Sequence, residues 1–252
     1  MAPASQPIAI AELRRWLERT GSHAGERAVL PFGPRAIDQR LPAGGLLLGH
    51  LHEVIEAGAA SEYAGLATVF TAGILARLSG PVLWCLRGRD LFAPALARIG
   101  LHPDRIIYCE TWNDRDLLPA MEEGLRCKGL AGVVGEVSRL SLNASRRLQL
   151  CSGETGVTAM VIRRWRNSSE KEHAGEPNAA ASRWRVSPHP SFAGGFDGLE
   201  RQLWRLELLR VRGGEPHSWI VEACDAQGYL ALPAALADRP AAAESARHAL
   251  AG

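Results

Sequence analysis

The chain has 252 residues, a formal net charge of +2, and 46% hydrophobic against 22% charged residues. That is the composition of a globular protein, which excludes a disordered or fibrous one, and the length suffices for one full core with extensions. So small a net charge removes any general polyelectrolyte attraction to nucleic acid, so a basic surface would have to be local. The basic residues are almost all arginine, for which a compositional bias is a simpler reading than a dedicated recognition role; Lys128 and Lys171 are the two lysines. Five cysteines (Cys85, Cys109, Cys127, Cys151 and Cys224) are odd in number and form no C-x-x-C. With no secretory leader and no apolar run of membrane-span length, a reduced cytoplasmic protein away from membranes is expected.

The first expected element is an amphipathic helix over Ile8–Thr20, where Ile8, Leu13, Trp16 and Leu17 form an apolar stripe and Glu12, Arg14, Arg15 and Glu18 lie outside it. Pro31-Phe-Gly-Pro34 breaks the chain, Ala36–Leu41 reads as a short helix, and Pro42-Ala-Gly-Gly45 as a tight turn. Leu51–Ile55 is a buried strand, Ala57–Ser61 a loop of small residues, and Tyr63–Leu78 a helix with Leu66, Val69, Phe70, Ile74 and Leu78 near one face. Further strands are expected at Val82–Leu86, Asp104–Cys109, Leu130–Val134 and Val157–Ile162. Helices are expected at Leu91–Ile99, from Asn113 or Asp114 to about Arg126, and at Asn143–Leu150. Short apolar strands alternating with helices give a mainly parallel sheet flanked by helices. The polar stretch Ser168–Ala181 reads as a mobile loop. Ser182–Val186 resumes as a strand, and Trp204–Arg212 with Ser218–Glu222 suggests an antiparallel C-terminal hairpin. From Pro240 the chain is an Ala-rich tail. The expected organisation is an N-terminal helix and linker (1–28), a core (29–232) containing the 168–181 loop, and a flexible tail (233–252).

Glu53–Thr68 has the strand–loop–helix context of a phosphate-binding loop. Its chemistry is missing, because Lys128 precedes Gly129 and Lys171 precedes Glu172, so Gly-Lys-Ser/Thr occurs nowhere in the chain.

These elements, with Gly33-Pro-Arg-Ala-Ile-Asp38 and Gly44-Gly-Leu-Leu-Leu-Gly-His-Leu-His-Glu53, resemble the entry of the RecA-type ATPase core into its phosphate loop. Together with Arg183-Trp-Arg-Val186 and Trp204-Arg-Leu-Glu-Leu-Leu-Arg210, the pattern resembles the ImuA family, RecA-related proteins of bacterial damage-induced mutagenesis cassettes. The resemblance runs from about Val29 to Leu232. It implies a RecA-like α/β core and an accessory role in SOS-induced, error-prone translesion synthesis. The implied partners are ImuB and the alternative DNA polymerase assembly, with RecA and single-stranded DNA as further candidates, and the nucleoid is the implied destination after DNA damage.

Carried over by position, the resemblance places Gly58 in a degenerate phosphate loop, Ser61 at its last Gly, Glu62 at its Lys and Tyr63 at its Ser/Thr. A carboxylate facing a phosphate about 4 Å away is repelled by roughly 4 kcal/mol at a partly screened dielectric. The Walker B carboxylate position falls on Gly135, with Glu136 one place on, and Leu86-Arg-Gly-Arg-Asp90 falls where the family places its water-activating Glu, without a clear register for Asp90. No ATPase activity and no cofactor are therefore expected. A divergent ATPase using Glu136, and a division inhibitor of the SulA type, are the alternatives.

His50 and His52 lack a third ligand in spacing, so no metal site is expected. Glu110, Asp114 and Asp116 read as a solvated helix start. Ser61 and Ser141 have no nucleophile elbow around them. In RecA-type proteins the loops after two of the strands face DNA, which makes Arg139, Arg146, Arg147, Arg163, Arg164, Trp165 and Arg166 the candidate DNA or partner contacts. Leu13, Arg15, Trp16 and Leu17 are the partner-helix candidates, and Trp184, Trp204 and Trp219 are assigned to packing.

Overall fold

The structure is a computed structural model that describes residues 28–58, 60–88, 90–165, 176–190 and 201–233. The expected helix at Ile8–Thr20 and the Ala-rich tail lie outside these residues. In chain order the elements are β1 (Val29–Leu30), α1 (Arg35–Asp38), β2 (Leu46–Leu47), β3 (Leu51–Glu56), α2 (Ala60–Ala76), β4 (Val82–Leu86) and α3 (Ala93–Ala97). There follow β5 (Ile106–Glu110), α4 (Asp114–Arg126), β6 (Gly132–Val137), α5 (Leu142–Thr155), β7 (Thr158–Arg163), β8 (Ser182–Pro188), β9 (Leu203–Val211) and β10 (His217–Glu222).

β1 and β2 make a small antiparallel ribbon. The other eight strands form one sheet in the order β10-β9-β8-β3-β7-β6-β4-β5. From β5 to β8 every pairing is parallel, and β8-β9-β10 continues as an antiparallel meander. This is the expected α/β architecture, a mainly parallel sheet flanked by helices with an antiparallel C-terminal hairpin, and it is consistent with a RecA-like core.

β3 lies at the centre of the sheet and is buried at all six positions, because helices cover both faces. α2 packs on β3, β7 and β8, and α4 and α5 cover the opposite face over β3, β4, β6 and β7. The α2 side holds an aromatic core in which Trp184 lies 5.2 Å from Phe32, 5.8 Å from Phe70 and 6.4 Å from Trp219 between ring centroids. Trp184 and Trp204 are fully buried and Trp219 nearly so, as their assignment to packing requires. The α4/α5 side is aliphatic, with Leu51, Met121, Leu125, Val133, Leu148 and Val161.

Where element ends differ from expectation, local chemistry explains the difference. α2 begins at Ala60, which puts Ser61, Glu62 and Tyr63 in its first turn. α5 runs on to Thr155 and stops only at Gly156, whose φ of 81° makes a left-handed C-cap. Pro94 sets the start of α3 and Gly100, at φ 89°, follows its end. Of the expected 168–181 loop, the described residues 176–181 have no regular secondary structure but are packed, and the others lie outside the described residues. Asn178, Ala180 and Ala181 are buried, and the Ala179 N–H donates to Ser145 Oγ at 3.0 Å. Residues 176–181 are thus a packed lead into β8.

His52, inside β3, is held as a neutral ring. The indole N–H of Trp184 donates to Ser182 Oγ (2.7 Å), and that hydroxyl lies 2.7 Å from His52 Nδ1. His52 Nε2 meets the carbonyl of Leu47 at 2.7 Å. A carbonyl only accepts, so Nε2 carries the proton and Nδ1 accepts from Ser182. Burial pulls the pKa of His52 down from 6.5 to about 4, against the Leu47 hydrogen bond.

Candidate functional site

The charged side chains inside the protein collect on four strands of the sheet: Glu53 and Glu56 on β3, Glu136 near the end of β6, Arg163 and Arg164 at and just past the end of β7, and Arg183 at the start of β8. Successive residues at the end of a strand point to opposite faces, so the neighbours Arg163 and Arg164 serve different sides of the sheet.

On the α2 side Arg164 is a cation surrounded by oxygens. Its Nε donates to Glu136 Oε2 at 2.9 Å, Nη1 to Glu56 Oε1 at 2.6 Å, and Nη2 to Thr68 Oγ1 at 2.9 Å. The second oxygen of Glu136 accepts the Trp84 indole N–H at 2.8 Å, and that of Glu56 accepts the Trp165 backbone N–H at 3.0 Å. Burial raises the pKa of Glu56 against the pull of Arg164. Burial lowers that of Arg164, but Glu136 and Glu56 outweigh it, and the guanidinium is held above its usual range.

On the α4/α5 side Glu53 is an anion surrounded by donors. It accepts from Arg163 Nη1 at 3.1 Å, from Asn178 Nδ2 at 2.7 Å, and from Arg183 Nε. Arg163 also donates to the carbonyl of Ser138 (3.0 Å), and Arg183 to that of Glu176 (2.6 Å). Arg210 reaches Asn178 Oδ1 at 2.9 Å. Glu53, Glu56 and Glu136 thus face Arg163, Arg164 and Arg183, three charges of each sign, all buried. Such pairs are tolerated away from water when most of the remaining donors and acceptors are also satisfied; here Arg163 Nη2 is buried without a partner.

The Arg164 arrangement sits where β3 passes into α2, since Glu56 ends β3 and α2 starts at Ala60. A cavity of about 120 Å³ beside it is lined by Gly65, Thr68, Leu91, Phe92 and Arg164. Gly58 is half-buried in the connecting loop. A Cβ added at Gly135 would lie 2.1 Å from Met121 Sδ, so that position faces the packed α4 layer, while Glu136 faces Arg164.

The candidate surface contacts separate. Arg163 and Arg164 are 0% and 7% exposed; expected at a DNA-facing surface, they are instead internal counter-ions of Glu53, Glu56 and Glu136. Trp165 is half-buried. Arg139 is exposed and makes a two-pronged pair with Glu176 (2.8 and 3.1 Å). Arg147 pairs with the nearly buried Glu122 on α4. Arg146 is exposed. Arg166, with Leu13, Arg15, Trp16 and Leu17, lies outside the described residues.

Asp114 does more than start a helix. It pairs with Arg87 at 3.2 Å and accepts the Ser138 N–H at 3.0 Å, which ties the ends of β4 and β6 together. Asn113 and Ser141 are helix caps. Among the described residues no group of three metal-ligating side chains forms, and the five cysteines are free thiols. The sequence reading missed the roles of Glu53, Glu56, Thr68, Asn178 and Arg183. The available signal was two carboxylates inside a strand short and apolar enough to be buried.

The fold and this site define a RecA-like protein whose central strands carry buried ion pairs of their own. No family model matches the chain. Protein ImuA of Caulobacter vibrioides, in two strains, is 37% identical, over 79% of this chain and 84% of the relative. The chain therefore belongs to the ImuA family of the mutagenesis cassette.

Proposed function

We propose that this protein is a non-catalytic, RecA-like accessory factor of SOS-induced translesion synthesis, an adaptor that binds ImuB and through it the alternative polymerase assembly. The observation that carries the reading is the Arg164 cluster. An ATP-binding strand–loop–helix brings cationic donors and a hydroxyl to the phosphates and Mg²⁺. Here the strand ends in Glu56, and Glu56, Glu136 and Thr68 are committed to an internal guanidinium. A triphosphate approaching there meets carboxylates, and displacing Arg164 would strand two buried anions. What the fold retains is a rigid recognition surface.

Calorimetry with ATP and Mg²⁺ tests this, and no heat of binding is expected. Saturable binding would overturn the non-catalytic half of the reading. A pull-down with ImuB tests the adaptor half. Titration of single-stranded DNA at two salt concentrations, with and without ImuB, separates a direct DNA contact from one made by the partner, because phosphate contacts weaken steeply with salt. RecA is the third ligand to titrate.

A further inference from the structure

α5 buries Ser145, Leu148 and Ser152 against the sheet and turns another face outward. On that face Leu142, Arg146 and Leu150 are spaced i, i+4, i+8, which lines them along one ridge about 12 Å long. Leu142 is 38% and Leu150 64% exposed, whereas the helix's other large apolar side chain, Leu148, is buried. The charges nearby are unevenly satisfied. Arg147 is paired with Glu122, Arg126 with Glu123 and Arg139 with Glu176. Arg146, between the two leucines, has no ion pair among the described residues.

We propose that the ridge Leu142–Arg146–Leu150 is a docking surface for a protein segment of about two helical turns that presents a carboxylate between two apolar side chains. Charge complementarity selects the acidic residue, and the flanking leucines require apolar partners. They also exclude water around the ion pair, the arrangement that makes an interfacial arginine a dominant contact. A nucleic acid fits less well. Backbone binding draws on several unpaired cations together, whereas this ridge offers one, flanked by aliphatic rather than stacking side chains. The inference rests on the adaptor reading, in that ImuB supplies the segment.

The test is the affinity of full-length ImuB for four versions of the protein: wild type, Arg146→Glu, Arg146→Lys and Leu150→Asp. All three changes lie on an exposed surface, and equal thermal melts confirm the fold. Arg146→Glu and Leu150→Asp are expected to weaken ImuB binding at least tenfold. Arg146→Lys should retain most of the affinity, and the salt dependence of binding should be lost in Arg146→Glu. Unchanged affinity in both disruptive variants overturns this docking surface and leaves the adaptor reading standing. No ImuB binding by the wild type overturns both. Single-stranded DNA binding that is lost in Arg146→Glu but kept in Leu150→Asp assigns the ridge to nucleic acid and likewise overturns the proposal.

Discussion

The two ion clusters are built from the same side-chain types but are inverted. On the α2 face one guanidinium, Arg164, is held by two carboxylates and a hydroxyl. On the α4/α5 face one carboxylate, Glu53, is held by two guanidiniums and an amide. Both draw on β3 and β7, and the consecutive residues Arg163 and Arg164 feed one each. The difference lies in what each cluster does when its centre is lost. Carboxylates can take up protons and become neutral, whereas a guanidinium stays charged at any pH a protein survives. The Glu53 cluster therefore has no escape from an unpaired state. The Arg164 cluster has one.

The largest expected effect follows from that asymmetry. Glu53→Ala leaves Arg163 and Arg183 buried without a counter-ion, and a loss of about 3–5 kcal/mol or more is expected, read by urea denaturation at any pH. Arg164→Met should destabilise by a similar amount, about 3–5 kcal/mol, at pH 8. Its deficit relative to wild type should shrink as the pH falls. The sign follows from Glu56, whose pKa burial already raises with Arg164 present. An acid with a raised folded pKa favours the folded state as it takes up its proton. A deficit that narrows towards pH 5 for Arg164→Met but stays constant for Glu53→Ala supports the comparison. Parallel curves for the two would refute it.

His52 titrates the other way and is the next largest effect. Its folded pKa of about 4 lies below the unfolded value of 6.5. Stability from the neutral ring is therefore complete above pH 6.5 and is lost as the pH falls through the window down to 4. The drop amounts to about 3 kcal/mol, at 1.36 kcal/mol per unit. His52→Gln keeps a donor for the Leu47 carbonyl but cannot titrate. Its stability should vary less between pH 7 and 4 than that of wild type, and an equally steep fall would assign the acid sensitivity to carboxylates alone.

Much of the scaffold was legible because it rests on local pattern. Val82–Leu86 was read to the residue, and of the two cap candidates Asn113 and Asp114 it is Asn113 that accepts the Asp116 N–H. Alternation of strand and helix gave the parallel sheet, and the punctuation Gly213-Gly-Glu-Pro216 gave the β9–β10 hairpin. The clusters were not legible, because their partners lie 108 to 130 residues apart in the chain: Glu56 with Arg164, Glu53 with Arg163 and with Arg183. Arg163 and Arg164 looked like surface residues since they follow an apolar run and precede a polar one. Which face a strand-end arginine serves depends on the register with β3, and no short window of sequence contains that. The same limit hid the lead into β8, whose polar residues Glu176 and Asn178 read as solvated until Glu53 and Arg139 were seen to hold them.

That lead yields the smallest expected effect and the sharpest test of where the Glu53 cluster ends. Arg139→Ala removes a pair in which Arg139 is 60% exposed and Glu176 28%. Solvent screening at such exposure limits the change to about 0.5 kcal/mol, vanishing in high salt. Residues 176–181 keep their other ties, from Arg183 to the Glu176 carbonyl, from Asn178 to Glu53, and from the Ala179 N–H to Ser145. Amide hydrogen exchange at Ala179 and Ala180 should therefore stay slow in Arg139→Ala. In Glu53→Gln, a change that preserves shape but removes the charge, exchange should accelerate, because the amide offers one acceptor oxygen where Arg163, Asn178 and Arg183 share two, and leaves both guanidiniums without a counter-charge. Fast exchange in the Arg139 variant alone would make the surface pair the anchor and leave the buried cluster without this role.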